Sequence, residues 1–191
     1  MPKQDVDLID KRISDRRDGK PVLISIGGLP ATGKTTVARR VARELRAAFV
    51  RIDSIGTAIG SAEGEFEQTN GWELPPGCLV GYDVAVDQLQ IGMDVVAESV
   101  NPLRSSRDAW RDAGLRAGAR VVEVEVVCSD LDEHRRRAEG RVLDVAGLTK
   151  PTWEQITARE YEPWDRSRIV VDTAILAVDE CAQVIRAAVE V

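Results

Sequence analysis

A glycine-rich stretch early in the chain has the residue types and spacing of a phosphate-binding loop, Gly28-x-x-x-x-Gly33-Lys34-Thr35. Glycines allow the backbone to fold tightly around an anion, so that successive amide N–H groups point at phosphate oxygens. We expect Lys34 to reach the β- and γ-phosphates and the Thr35 hydroxyl to bind a magnesium ion. The predicted nucleotide contacts are Gly28, Leu29, Pro30, Ala31, Thr32, Gly33, Lys34, Thr35 and Thr36.

The residues on both sides of this stretch supply the elements that such a loop requires. Residues 22–26 are a short apolar run, typical of a buried strand. Residues 34–47 repeat apolar positions at helical spacing, so the loop opens a helix whose positive N-terminal end faces the phosphates. The order of strand, loop and helix therefore predicts a nucleoside triphosphate site.

Two acidic residues at the ends of later predicted strands are candidates for the chemistry. Asp53 closes the predicted strand 49–53, about one helix after Lys34, so we expect it beside the γ-phosphate. An aspartate there can accept a proton from a substrate hydroxyl and orient its attack. Glu98 follows an apolar run, at the position of the acidic residue that assists magnesium in phosphate-loop proteins. A turn-forming role for Asp53 and a structural role for Glu98 stay open as alternatives.

A basic helix after the fourth predicted strand indicates a lid. Arg137 and Arg141 are four residues apart and share one face of a helix predicted over residues 130–142. Mobile lids carry arginines that neutralise charge on the transferring phosphoryl group, so we predict catalytic roles for both. A solvated charged helix is the alternative. His134, the sole histidine, has no companion for a metal site or a catalytic triad, and we expect a solvated structural role for it.

The acceptor pocket is predicted from a helix between the second and third strands. Asp83 and Asp87 are one turn apart on it and could bind acceptor hydroxyls, with Trp72 as an apolar wall. Arg104 follows the third strand together with Asn101 and Arg107, where side chains can reach substrate or phosphate. An ordinary solvated acidic face is the alternative for the two aspartates.

Composition limits the classes of function. The chain has 191 residues, 43% of them hydrophobic, which suffices for one sizeable core and predicts one domain. Its net charge of −6 argues against a nucleic-acid partner, because binding a phosphate backbone requires a basic face. Three dispersed cysteines suggest neither disulfides nor zinc. Without a signal peptide or a long apolar run, we expect a cytoplasmic monomer or homodimer with no membrane partner.

Alternation of strand and helix patterns predicts an α/β fold with a parallel sheet covered on both faces, and ligands at the carboxyl ends of the strands. The predicted strands are 22–26, 49–53, 93–100, 121–127 and 168–172. The predicted helices are about 34–47, 80–92, 104–117, 130–142, 152–160 and 177–189. A short helix over residues 1–20 and a surface loop over residues 70–77 complete the prediction.

Several segments together resemble a group of small P-loop kinases. They are GGLPATGKTT, RIDSI, VVAESVNPLRSSRDAW, VEVEVVCSDLDEHRRRAEGR, PTWEQITAREYEPWD and IVVDTA, spread over residues 22–190. The chain is similar to the chloramphenicol-phosphotransferase-like, zeta-toxin-like and gluconate-kinase-like proteins, often grouped as AAA-type ATP-binding domains. The resemblance implies a sheet in the order 2-3-1-4-5, ATP with Mg²⁺ as donor, Asp53 as base and a small helical lid at about 130–160. Glu98 departs from the aspartate of that group.

Two further readings of the nucleotide site differ from a small-molecule kinase. The sequence argues against a regulatory GTPase, because it contains no Asn-Lys-x-Asp segment to recognise guanine. A nucleotide-binding module without phosphotransfer needs the loop but neither Asp53 nor the lid arginines, so their joint presence favours a kinase. We expect the acceptor to be a hydroxylated small molecule, such as an antibiotic, a nucleoside, a sugar or a sugar nucleotide. The sequence does not distinguish among these classes.

Overall fold

The computed structural model describes residues 19–63 and 75–190, and within them five parallel strands form one sheet. The strand order is β2-β3-β1-β4-β5, which confirms the predicted arrangement. The strands are β1 (Val22–Gly27), β2 (Ala48–Arg51), β3 (Val95–Glu98), β4 (Arg120–Val127) and β5 (Ile169–Asp172). They lie within about two residues of the predicted strands, with the second and third shorter than expected.

Seven helices lie in the part of the chain that the structure describes. They are α1 (Lys34–Leu45), α2 (Ile52–Glu63), α3 (Pro76–Gln90), α4 (Arg104–Arg116), α5 (Leu131–Gly140), α6 (Trp153–Thr157) and α7 (Val178–Val189). The prediction missed α2 entirely, and α5 ends two residues earlier than expected. The predicted leading helix, apart from its last two residues, and most of the predicted loop at 70–77 lie outside the described residues. No helix among those described is long and apolar enough to cross a membrane.

Alternate residues of the central strand feed two separate cores. All six residues of β1 are buried, as expected for a parallel strand covered on both faces. Ile24 and Ile26 face the core beneath α1 and α7, where they pack with Val37 and Ile185. Leu23 faces the opposite core, which is built mainly from α3, α4 and their contacts with the sheet. The sheet is therefore fixed from both sides, and its carboxyl edge is held as a rigid platform.

The phosphate loop begins where β1 ends at that edge. Gly28 has φ of 142°, a conformation that side chains rarely adopt, and a Cβ there would lie 2.2 Å from the Val126 carbonyl oxygen. The Gly28 amide donates to the Val100 carbonyl at 3.0 Å. Gly33, with φ of 89°, leads directly into α1. Close contact with β4 and with the residues after β3 therefore fixes the start of the loop and requires glycine there.

A buried polar chain ties the residues after β3 to β1. The indole of Trp110 donates to the Ser99 hydroxyl at 3.1 Å, and Ser99 donates to the Asn101 side-chain oxygen at 2.5 Å. The Asn101 amide in turn reaches the Ser25 hydroxyl at 3.3 Å. Trp110 also meets Tyr82 edge to face, with 4.5 Å between ring centroids. The Asn101 side chain therefore bonds to buried groups within the protein. Trp110 anchors the strand end that carries Glu98.

Replacing Trp110 with alanine should lower the free energy of unfolding by about 3–5 kcal/mol, because a buried aromatic ring is lost and a cavity remains. Phenylalanine at this position should cost less, since it keeps most of the ring volume and loses the hydrogen bond to Ser99. Urea unfolding followed by circular dichroism measures both. A Trp110→Ala variant as stable as the parent protein would contradict this anchoring role.

Candidate functional site

A cavity of about 530 Å³ opens beside the phosphate loop. The loop and the first turns of α1 line one side of it, and α5 with the residues that follow lines the other. The lining residues are Ala31, Gly33, Lys34, Thr35, Thr36, Arg39, Arg136, Arg137, Gly140, Arg141, Val142 and Asp144. The structure therefore brings the predicted loop residues and the predicted lid arginines Arg137 and Arg141 to one cavity.

Glu98 contacts two residues of the phosphate-loop motif, Lys34 and Thr35, at the predicted magnesium site. The Thr35 hydroxyl donates to Glu98 Oε1 at 3.2 Å, and Lys34 Nζ lies 3.6 Å from the same oxygen. The Glu98 side chain is fully buried. A hydroxyl and a carboxylate are oxygen ligands of the kind that Mg²⁺ prefers, with nucleotide phosphates and water completing the shell. Among the described residues no cluster of three or more acidic, histidine or cysteine side chains forms a self-sufficient metal site.

Burial shapes the charge state of Lys34. Loss of solvent lowers the pKa of its ammonium group, whereas the carboxylates of Glu98 and Asp53 raise it and the guanidinium groups of Arg141 and Arg51 lower it again. The balance leaves the pKa below its ordinary value. An anion arriving beside Lys34 would favour the charged form. The site is therefore arranged to gain electrostatic energy when phosphate binds.

Asp53 lies two residues beyond the end of β2, in the first turn of α2. The expectation that it closes the strand is therefore wrong, because the chain turns into a helix immediately after Arg51. Its carboxylate is about one-quarter exposed, and Oδ2 lies 3.9 Å from Arg51 Nη2. No shorter ion pair of Asp53 is found among the described residues. The carboxylate is thus accessible and close to the carboxyl edge of the sheet, as a base must be.

Sequence reasoning missed a charge cluster at the site that consists of Arg39, Arg51 and Asp144. Arg51, at the end of β2, is 4% exposed, and its Nε lies 3.1 Å from Glu98 Oε2. Its Nη1 donates to both oxygens of Asp144, at 3.0 and 2.9 Å. Arg39 of α1 donates to Asp144 at 2.5 Å. The segment RIDSI contains Arg51, but nothing in the sequence connects it with a residue 93 positions away.

Arg137 joins α5 to the loop through Thr173. Its guanidinium donates to the Thr173 hydroxyl at 2.8 Å and to the Thr173 carbonyl at 3.1 Å, and its Nε donates to Glu133 at 2.6 Å. The Thr173 hydroxyl donates to the Thr32 carbonyl at 2.7 Å. Arg141 lies one residue beyond the end of α5, so it does not share a helical face with Arg137 as predicted. Both arginines nevertheless line the cavity.

His134 is buried, which overturns the expectation of a solvated residue. It is 4% exposed, and its Nε2 lies 2.8 Å from the Pro30 carbonyl oxygen, to which it donates because a carbonyl only accepts. Its ring also meets Trp153 edge to face, with 5.1 Å between centroids. The histidine is a structural link between α5 and the phosphate loop. Ala138, four residues on and also buried, is the sequence signal for this inward face.

The predicted acceptor residues do not line the cavity. Asp83 is 79% exposed and lies 3.8 Å from Arg116, and Asp87 is also exposed on α3. Arg104 is 65% exposed and pairs with Asp165 at 3.1 Å. Arg107, in contrast, is buried with its guanidinium 4.6 Å from the Trp164 ring centroid. Acceptor binding by Asp83, Asp87 and Arg104 therefore stays a prediction, and Trp72 lies outside the described residues.

Comparison with known proteins finds a family model that covers most of this chain. The sequence model of the AAA domain family matches residues 23–163. None of the curated proteins compared with the chain matches it.

Solved structures share the fold at low sequence identity. The APS kinase of Mycobacterium tuberculosis, in complex with AMPPNP and APS, has a TM-score of 0.65 at 19% identity over 90% of this chain and 99% of its own. A gluconokinase from Sinorhizobium meliloti 1021 has a TM-score of 0.58 at 18% identity over 88% of this chain and 91% of its own. Chaetomium thermophilum Kti12, in complex with ADP-AlF3, has a TM-score of 0.63 at 19% identity over 87% and 96%.

The ion pairs of Asp144 predict a pH-dependent contribution to stability. Burial opposes ionisation, but hydrogen bonds from Arg39 and Arg51 outweigh it and lower the pKa to about 2, from an ordinary value of 3.8. A carboxylate whose pKa is lower in the folded state stabilises the fold above its ordinary pKa, and that contribution is lost as the pH falls toward the folded value.

We therefore expect Asp144→Asn to lower the urea midpoint at about pH 7 and to matter less at about pH 3. Comparing the variant with the parent protein isolates this group from the other carboxylates that titrate. A difference in midpoint that stays constant down to about pH 3 would contradict the assignment.

Proposed function

This chain belongs to the AAA domain family, and on that premise we propose that it is an ATP-dependent kinase that transfers the γ-phosphate to a hydroxyl of a small molecule. The observation that carries the proposal is the convergence of Lys34 and Thr35 on the buried carboxylate of Glu98. A phosphate-binding lysine, a hydroxyl and a carboxylate at one point suit a magnesium-bound triphosphate.

The residues around that point divide the work of phosphoryl transfer. Amides of the phosphate loop and Lys34 would hold the β- and γ-phosphates, and Thr35 with Glu98 would hold the metal. Magnesium, when bound, neutralises charge that develops on the phosphate oxygens. Arg137 and Arg141, which line the cavity, would offset charge on the transferring group. Asp53 accepts the proton of the acceptor hydroxyl and orients its oxygen for attack.

A nucleotide-binding module without phosphotransfer is the second candidate. The likeness to Kti12, solved with ADP-AlF3, supports it as a use of the same fold. The accessible carboxylate of Asp53 at the sheet edge favours the kinase, because a module that only binds nucleotide needs no base there. Among kinases, the acceptor classes are an antibiotic, a nucleoside, a sugar or, as in zeta-toxin-like proteins, a sugar nucleotide.

A screen of acceptors tests the proposal. Purified protein with Mg²⁺ and ATP is incubated with hydroxylated metabolites and antibiotics, ATP consumption is measured, and mass spectrometry detects products that carry an added phosphate. A Lys34→Ala variant controls for contaminating phosphatases and kinases, since it lacks the charge nearest the β- and γ-phosphates. Binding of ATP without consumption against any acceptor would favour the module instead.

Replacing Asp53 with asparagine separates binding from chemistry. The change keeps the size of the side chain and removes its basicity, while the nucleotide contacts come from the loop, Lys34 and Thr35. We expect turnover of a confirmed acceptor to fall by about 10²-fold or more, with ATP affinity nearly intact. Steady-state kinetics and calorimetry measure the two effects. Unchanged turnover would show that Asp53 is not the base.

A further inference from the structure

A carboxylate from the segment after α5 lies between two arginines at the edge of the phosphate cavity. Asp144 accepts one hydrogen bond from Arg39, at 2.5 Å, and contacts from Arg51 Nη1 to both of its oxygens, at 2.9 and 3.0 Å. Guanidinium groups bind carboxylates and phosphates alike through such charge-assisted hydrogen bonds. The two arginines therefore have the geometry of an anion-binding site, and the Asp144 carboxylate occupies it.

The two arginines belong to rigid elements, whereas the carboxylate does not. Arg39 lies in α1 and Arg51 at the end of β2. Asp144 lies between α5 and α6, in a stretch where no residue from 139 to 155 is buried. A segment with so few apolar contacts opens at low cost compared with a packed helix or a central strand. Asp144 can therefore leave while Arg39 and Arg51 stay in place.

Arg51 has hydrogen-bonding capacity that Asp144 does not use. Its Nε forms an ion pair with Glu98 Oε2 at 3.1 Å, whereas its Nη2 is buried, makes no hydrogen bond among the described residues and lies 3.9 Å from Asp53. A buried donor without an acceptor is rare and costly, and Nη2 is such a donor. Arg51 also lies between the candidate metal ligand Glu98 and the candidate base Asp53. A ligand group on Arg51 would thus lie beside the base.

We propose that Arg39 and Arg51 form an anion subsite for the acceptor, which Asp144 fills in this structure, and that the acceptor carries a phosphate or carboxylate group besides its reactive hydroxyl. The inference rests on the proposed kinase function and narrows its substrate class. The acceptor anion displaces Asp144 and takes over its hydrogen bonds. A neutral alcohol cannot do so, because it carries no negative charge to replace the Asp144 carboxylate on Arg39 and Arg51.

Asp144 is an internal competitor in this account. Hydrogen bonds from the two arginines outweigh burial and keep its pKa near 2, so it is an anion throughout the neutral range. The subsite is then open only in the fraction of molecules in which Asp144 has left, and the affinity for an external anion falls by that fraction. Built-in competition of this kind selects acceptors by charge.

Inorganic phosphate is the probe that tests the subsite. The protein is labelled with ¹⁵N, its phosphate loop is saturated with Mg²⁺ and a non-hydrolysable ATP analogue, and phosphate is titrated while the side-chain Nε–H signals of Arg39 and Arg51 are followed by NMR. Asp144→Asn should bind phosphate at least about tenfold more tightly than the parent protein, because the competitor loses its charge. This gain in phosphate affinity does not require the segment after α5 to stay ordered in the variant.

Matched variants control the titration. Glu139→Gln removes a carboxylate from the same region, one that is 56% exposed and pairs with Arg135 outside the cavity, so it should leave the phosphate affinity unchanged. Adding Arg39→Gln to Asp144→Asn should abolish the gain. Arg39 is 44% exposed, and this change should leave the fold intact.

Three results would overturn the subsite. They are equal phosphate affinity with and without the Asp144 carboxylate, no shift of the two arginine signals in either protein, and phosphate binding that occurs with ADP but not with the ATP analogue. The last result would place the arginines on the γ-phosphate of the nucleotide. The acceptor screen tests the proposed function and the phosphate titration tests the subsite, so the failure of one proposal can be told from the failure of the other.

Discussion

A fully buried carboxylate at the carboxyl edge of the sheet imposes the main constraint on this protein. Glu98 lies at the end of β3, between β1 and β2, where water is excluded. A buried charge of this kind is tolerated only when cations and hydrogen-bond donors surround it. Lys34, Thr35 and Arg51 meet that need, at 3.6, 3.2 and 3.1 Å. Strand register and the phosphate loop thus converge on one carboxylate.

The other contacts of the site depend on how the buried charge of Glu98 is balanced. Arg51 pairs with Glu98 through its Nε. Its Nη1 pairs with Asp144, which lies in the region after α5. That pairing draws the segment toward the cavity, where Arg137 and Arg141 are also found. His134 and Thr173 fix α5 and the end of β5 to carbonyls of the loop. The loop is therefore pre-organised by side chains from three different parts of the chain, which are Glu98, His134 and Thr173.

Local patterns were enough to predict the sheet, the loop and the position of Glu98 beside it, but not the contacts of His134 and Thr173 with the loop. Lys34, Thr35 and Glu98 are brought together as expected, because a motif fixes the first two and strand order places the third. Asp53 was misplaced by two residues, since the boundary between β2 and α2 carries no glycine or proline signal. The direction of Asp83 and Asp87 depends on how α3 packs, and spacing along one helix does not specify which face is buried.

Contacts between distant residues escaped prediction for a physical reason. Asp144 pairs with Arg39 and Arg51 across 105 and 93 positions, and only the closed fold brings these charges together. In the sequence each of them resembles an ordinary surface charge. His134 was misjudged because its sequence neighbours are charged, although its spacing to Ala138 marks an inward face.

The most direct test of this account is the magnesium dependence of ATP binding in a Glu98→Gln variant, measured by calorimetry beside the parent protein. If Thr35 and Glu98 hold the metal, Mg²⁺ should strengthen ATP binding in the parent protein, and the variant should lose most of that gain, about tenfold or more. Its affinity for ATP without metal should stay close to that of the parent, which also shows that the loop is still folded. A Glu98→Gln variant that keeps the full magnesium enhancement would contradict the central role of this carboxylate.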